Sequence, residues 1–179
     1  MFSLAEILFP SRCIGCSKLG ISICSECRRD WHLHIYKREI EVLGSTYPVL
    51  SAVQYSPIAS RVLLSAKESQ IAAADLLIAK ALRHSLKFFI NKYGKGTLIS
   101  VPSRKSAVRK RGRDFLNTLT TDIGLDLEVS TASPLSHHRK VRDQSQLNIA
   151  QRSQNISGAF AVSPQFATLT SPGNIAPNL

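Results

Sequence analysis

Cysteine is missing from this 179-residue chain except in residues 13–27, "CIGCSKLGISICSEC", so any metal or disulfide staple is confined to that stretch. Apolar runs are short: none reaches the about 18 residues that a membrane-spanning helix needs. The opening "MFSLAEILFP" lacks a basic n-region and carries Glu6 inside its apolar run, which argues against a secretory signal peptide. These absences lead to the expectation of a soluble, cytoplasmic protein with no membrane span. Familiar catalytic patterns are missing too. There is no Gly-x-x-x-x-Gly-Lys loop, no tight carboxylate pair and no Ser-His-Asp arrangement. Internal repeats are absent apart from the two cysteine pairs. Acidic residues are scarce, 12 against 23 Lys and Arg, and Asp143 is the last of them.

The resulting formal charge of +11 is the strongest compositional signal. A basic surface concentrates polyanions, phosphorylated small molecules and anionic membranes alike, so charge by itself does not choose among them. Apolar residues at 44% suffice to bury a core, and aromatics at 7% are not depleted as in a disordered chain. The length suits one ordinary domain with a small appendage.

Cys13 and Cys16 form one Cys-x-x-Cys turn, Cys24 and Cys27 the other, seven residues on. Each such turn brings two sulfurs to one ion, and two turns make a closed site of four thiolates with no open position for substrate. Structural zinc is the expected occupant. Two other readings compete: paired disulfides, which need an oxidising compartment, and a redox pair, which needs no second Cys-x-x-Cys. Gly15 suits a tight knuckle. In "WHLHIY", Trp31, Leu33 and Ile35 alternate with His32, His34 and Tyr36, the pattern of a half-buried strand with its histidines outward.

Further along, "PVLSAVQYS" reads as a strand ended by Pro57, and residues 57–90 as a short and a long helix broken near "KESQ". "NKYGKG" is turn chemistry. "TLISVP" reads as a strand, "DFLNTLTTDIG" as a helix, "LDLEVS" as a strand, residues 146–155 as a helix and "GAFAV" as a strand. The order implies an α/β fold with a mainly parallel sheet. The Pro-, Ser-, Asn- and Gly-rich tail, 163–179, reads as disordered.

Two basic loops stand out. "SRKSAVRKRGRD" leaves the carboxyl end of "LISVP", where α/β sheets bind ligands, and carries Arg104, Lys105, Arg109, Lys110, Arg111 and Arg113 with Gly112. It suits an anion clamp for pyrophosphate, a phosphorylated sugar or nucleic-acid phosphates. A solvated basic helix start is the bland alternative. "LSHHRKVRDQSQLNIAQRSQNISGAF" supplies Arg139, Lys140, Arg142 and Arg152 around Asp143 and Gln144. His137 and His138 project in different directions, which argues against a shared metal; they read as phosphate neighbours or, by preference, as residues with no role at a site.

Taken in order, "ILFPSRCIGC…CSEC", "LLSAKES", "LISVPSRKSAVRKRGRD" and "RKVRDQSQLNIAQRSQNISGAFAV" resemble the ComF/GntX family over roughly residues 4–162. The resemblance implies a small N-terminal four-cysteine zinc module (1–45) followed by a type I phosphoribosyltransferase-like domain (46–162). It implies zinc ligation by Cys13, Cys16, Cys24 and Cys27, and places Arg111 and Gly112 on the family's Arg-Gly pair. Gln144, Arg152 and Asn155 fall on its Gln and Arg-x-x-Asn positions. Candidate phosphate or pyrophosphate contacts are thus Arg104, Arg109, Arg111, Gly112, Arg142 and Gln144. Arg113 and Asp114 stand where the family often has an aromatic residue and Asn. The family's acidic pair and Thr-Thr-Gly turn, which hold the phosphoribosyl pyrophosphate donor, do not occur here, so the sheet is expected to be incomplete and the chain truncated before its substrate site. Magnesium would be required only with a complete donor site.

Two functional expectations follow. One is a phosphoribosyltransferase-like glycosyltransferase by descent, associated with competence and DNA uptake but lacking full activity as the chain stands. The other is a zinc-containing module that binds single-stranded DNA or a DNA-uptake partner without catalysis.

Overall fold

Residues 10–144 and 146–167 are described by a computed structural model, and the chain divides between Lys95 and Gly96 into two units. The segment "ILF" ahead of Pro10 and the tail from residue 168 lie outside the described residues.

In the first unit an isolated antiparallel bridge, Arg12 to Leu19, precedes helix α1 (Ser25–Asp30). Strands β1 (Tyr36–Val42) and β2 (Ser45–Ser51) then form an antiparallel hairpin, with Ile40 opposite Tyr47. Its two-residue turn, Leu43-Gly44, has positive φ at both positions (51° and 78°), the twist-matched geometry that closes hairpins tightly. The expected strand at "WHLHIY" begins only at Tyr36, so His32 and His34 precede the hairpin.

Helices α2 (Pro57–Lys67) and α3 (Ala72–Tyr93) follow, with the break at "ESQI" close to where the sequence pattern puts it. Pro57 begins α2 as expected, but the strand ahead of it already ends at Ser51. The proline's fixed φ suits the first helical position, and the Ser56 hydroxyl accepts the Ala59 N–H at 3.1 Å. Small buried residues on the two helices, Ala66, Ala74, Ala81 and Ser85, permit a close helix pair. Val62 joins Cys13, Ile23, Cys27 and Trp31 among the buried side chains of this unit.

In the second unit, β3 (Leu98–Ile99) pairs in parallel with β4 (Thr131–Ala132) across α4 (Lys105–Arg111) and α5 (Phe115–Leu127). This is a minimal βαβ crossover. Phe115, Leu119 and Ile123 recur every fourth residue and are all buried, which defines the inner face of α5. β5 (Leu135–His137) pairs antiparallel with β6 (Phe160–Val162), with α6 (Ile149–Ile156) between them in sequence. Asn148 and Gln151 form a reciprocal capping box at the start of α6. Pro164–Ala167 make a final turn, α7, at the start of the segment expected to be disordered.

Two expectations change. The basic segment after β3 is largely helical, and "LDLEVS" is helix through Leu127. Gly124 is no stop signal. It lies inside α5, where a Cβ would run into Thr131 Cγ2 and come within 3.0 Å of the Val129 carbonyl. A glycine there lets the helix lie against β4. Among the described residues the strands form three two-stranded pairs, one of them parallel, in a mixed helix-and-strand chain. No described helix is long and apolar enough to cross a membrane.

Candidate functional site

The cysteine cluster is built from short-range structure. The Cys13 N–H donates to the Lys18 carbonyl at 2.7 Å and the Ser17 N–H to the Cys13 carbonyl at 2.7 Å, closing the first turn. Cys24 caps α1 and Cys27 lies within it. The sulfur atoms of Cys13, Cys16, Cys24 and Cys27 all lie within 4.8 Å of one another, with Cys16 and Cys24 at 3.6 Å. All four are free thiols. A tetrahedral ion with metal–sulfur bonds of about 2.3 Å sets sulfurs about 3.8 Å apart, so the donor set can hold one metal ion.

Gly15 is required by this geometry. A Cβ on it would stand 2.6 Å from Cys27 Sγ and 3.1 Å from Ile58 Cδ1, and its carbonyl accepts from Arg61 Nη1 of α2. The cluster is therefore seated on α2 within one unit. Lys18 and Glu26 pair across the two turns at 2.7 Å, an exposed bridge; the mutual hydrogen bond and charge raise the lysine and lower the carboxyl.

The thiols differ electrostatically. Burial opposes ionisation of Cys13, but backbone donors from Cys24, Cys16 and Gly15 override it and lower the thiol to about 6. The Cys24 N–H is 3.3 Å from its sulfur. The backbone at Lys18 favours the Cys16 thiolate, yet burial and the neighbouring Cys13 and Cys24 outweigh it, and that thiol is raised. Burial, then crowding by the other three cysteines, pushes Cys27 well above its ordinary value. His32 and His34 stay out of the cluster. Their rings lie 6.1 Å apart, and His34 meets Tyr36 edge-on at 4.9 Å.

In the second unit a cavity of about 480 Å³ is lined by Ser103, Lys105, Arg109, Asp114, Ser136 and His137. Pro102, Val108 and Leu135 complete its apolar wall. Most of these residues follow β3 or belong to β5. Ser103 Oγ donates to Asp114 Oδ1 at 2.8 Å. His137 Nε2 lies 3.1 Å from the Pro102 carbonyl, and its ring packs 5.0 Å from Phe160; its Nδ1 is buried without a hydrogen-bond partner.

The residues singled out from the sequence are only partly brought together here. Arg109 lines the cavity. Arg104 stands between two lining residues, but its Nη2 is 2.7 Å from Asp143 Oδ2. Arg111 is buried, with Nε donating to the Ala107 carbonyl at 3.0 Å, and Gly112 ends α4 at φ 70°, which favours glycine. The Arg142 backbone is held on both sides by the buried Asn155 amide: Arg142 N–H to Oδ1 at 3.0 Å, and Nδ2 to the Arg142 carbonyl at 3.0 Å. The Gln144 carbonyl accepts from Arg152 Nε at 3.1 Å. Arg139 is used structurally, its Nη2 reaching the carbonyls of Gln154, Asn155 and Ser157 at the end of α6. Arg113 lies 5.0 Å over the Phe115 ring. Sequence reasoning passed over Ser103 and Asp114 as cavity residues, and weighed His137 as a phosphate neighbour only to set it aside. The signal that could have found them is positional: Ser103 follows β3, Asp114 stands at the N-terminus of α5, and His137 ends β5.

Fold and cluster together define a two-unit chain of mixed helices and strands with an N-terminal cluster of four thiols that can hold a metal ion. Compared with protein-family models, with curated proteins and with solved structures, the chain matches none.

Proposed function

We propose that this chain is a zinc-stapled, phosphoribosyltransferase-like protein of the ComF/GntX type, whose second unit binds the pyrophosphate portion of a phosphorylated sugar. Zinc in the four-thiol centre is structural, because all four coordination positions are filled by protein and none is left for a substrate. The observation that carries the anion reading is the cavity beside the βαβ crossover. Lys105 and Arg109 line it together with the hydroxyl-bearing Ser103 and Ser136, and part of its wall, from Pro102 on, follows β3.

The donor's ribose hydroxyls would need an acidic pair, and its 5′-phosphate a nest of backbone N–H groups. Neither is found among these residues, so this chain as it stands holds the pyrophosphate end without transferring the sugar. A role in competence or DNA uptake rests on the resemblance alone.

Isothermal titration of the zinc-loaded chain with inorganic pyrophosphate tests the reading. Binding in the micromolar-to-millimolar range, weakened at least fivefold in Arg109→Ala, supports it; heat-silent titration at low salt refutes it. Incubation with phosphoribosyl pyrophosphate and nucleobase acceptors should yield no nucleotide.

A second reading, single-stranded nucleic-acid binding, is favoured by the charge of +11. Its signature is an affinity that falls with log salt at a slope of about −0.7 per phosphate contacted. No affinity for an oligonucleotide at low salt removes it.

A further inference from the structure

We infer that Asp143 is a built-in competitor for the anion site: its carboxylate holds Arg104 in the manner a phosphate oxygen would, and an incoming anion must displace it. This rests on the reading of the cavity as a pyrophosphate site and adds a means by which that site is restrained.

Arg104 lies between Ser103 and Lys105, which both line the cavity, yet it is not itself a lining residue. Its Nη2 donates to Asp143 Oδ2 at 2.7 Å, joining positions 39 apart in sequence. The carboxylate is presented by an anchored backbone. Its neighbour Arg142 is clamped at N–H and carbonyl by the buried Asn155 side chain, 7% exposed. The pair itself faces water, with side-chain exposures of 34% for Arg104 and 63% for Asp143. An ion pair so exposed is weak and exchangeable.

Pyrophosphate carries more charge than one carboxylate and offers several oxygens to a planar guanidinium, which favours exchange once the anion reaches Lys105 and Arg109. Arg104 then becomes a third cation at the rim. The carboxylate thus lowers affinity for weakly charged anions and leaves the cavity to polyphosphates.

Titration of the zinc-loaded full chain with inorganic pyrophosphate decides the matter. Asp143→Asn keeps the side chain's shape and removes the competitor, so pyrophosphate should bind about three- to fivefold more tightly, the range set by an exposed ion pair. Asp122→Asn makes the same charge change at an exposed site on α5 outside the cavity lining, and should leave affinity unchanged. The gain from Asp143→Asn should vanish in an Arg104→Ala background, since the two residues act as a pair.

If the wild-type chain binds pyrophosphate but Asp143→Asn does not tighten it, competition by Asp143 is wrong and the anion site stands. An equal gain in Asp122→Asn, or a gain that survives Arg104→Ala, assigns the effect to net charge and also overturns the inference. Failure of both the wild type and Asp143→Asn to bind removes the anion site and the competitor together.

Discussion

The four cysteines do not enter a metal site on equal terms. Cys13 is lowered to about 6, so near neutral pH it is already a thiolate, whereas Cys16 and Cys27 are raised and must lose protons as metal binds. Metal uptake therefore releases protons, and acidification opposes it. Zinc affinity, read by competition with a chromophoric chelator, should weaken between pH 7.5 and 6.5 by roughly tenfold for each proton released. Below about pH 6, Cys13 must also be deprotonated and the decline steepens. A pH-independent affinity over that window would contradict the cluster's electrostatics. In the metal-free chain the Cys13 contribution has its own sign. A thiol lowered from 9.0 to about 6 stabilises the fold fully above pH 9 and loses that contribution as pH falls through 6. At this scale the clustering of the four cysteines was legible, because Cys-x-x-Cys spacing is local chemistry. Arg111 and Arg139 were not. Nothing in a run of basic residues tells which guanidinium turns inward to a helix carbonyl and which stays in water.

At the scale of elements, a side chain on α6 serves as a joint to the segment before it. Asn155, on the inner side of α6, makes two hydrogen bonds to the Arg142 backbone and is buried. Asn155→Ala leaves a backbone donor and acceptor without these partners and should cost about 1–3 kcal/mol in urea unfolding. A change below a few tenths would show that water replaces the amide. The break between α2 and α3 was legible from the fading of helical spacing near "KESQ", and α6 was legible as a helix, although its expected start at residue 146 missed the Asn148–Gln151 cap. The end of α5 was not. Gly124 reads as a stop in sequence, while its function is close approach to Thr131, a contact between segments that no local pattern encodes. The length of β3 was likewise overestimated and β4 was placed too early, because an apolar run does not reveal how much of it pairs.

For the whole molecule, the chain's single tryptophan is a natural reporter. Trp31 is 7% exposed, and its backbone N–H donates to the Cys27 carbonyl at 3.0 Å. Stripping metal with a strong chelator should shift its emission to the red and lower the thermal midpoint of the first unit, with zinc restoring both. Metal binding in such sites is worth on the order of 10 kcal/mol, comparable to a domain's entire stability. An unchanged spectrum after verified metal loss would show that the unit folds without the ion.

The link from Arg61 to the Gly15 carbonyl has a temporal consequence. All four sulfur ligands precede their docking helix along the polypeptide, so during synthesis an ion can be captured before that helix exists. Helix α2 then finds a finished seat waiting. Were folding to follow that order, metal supply would set the pace at which this half of the molecule forms.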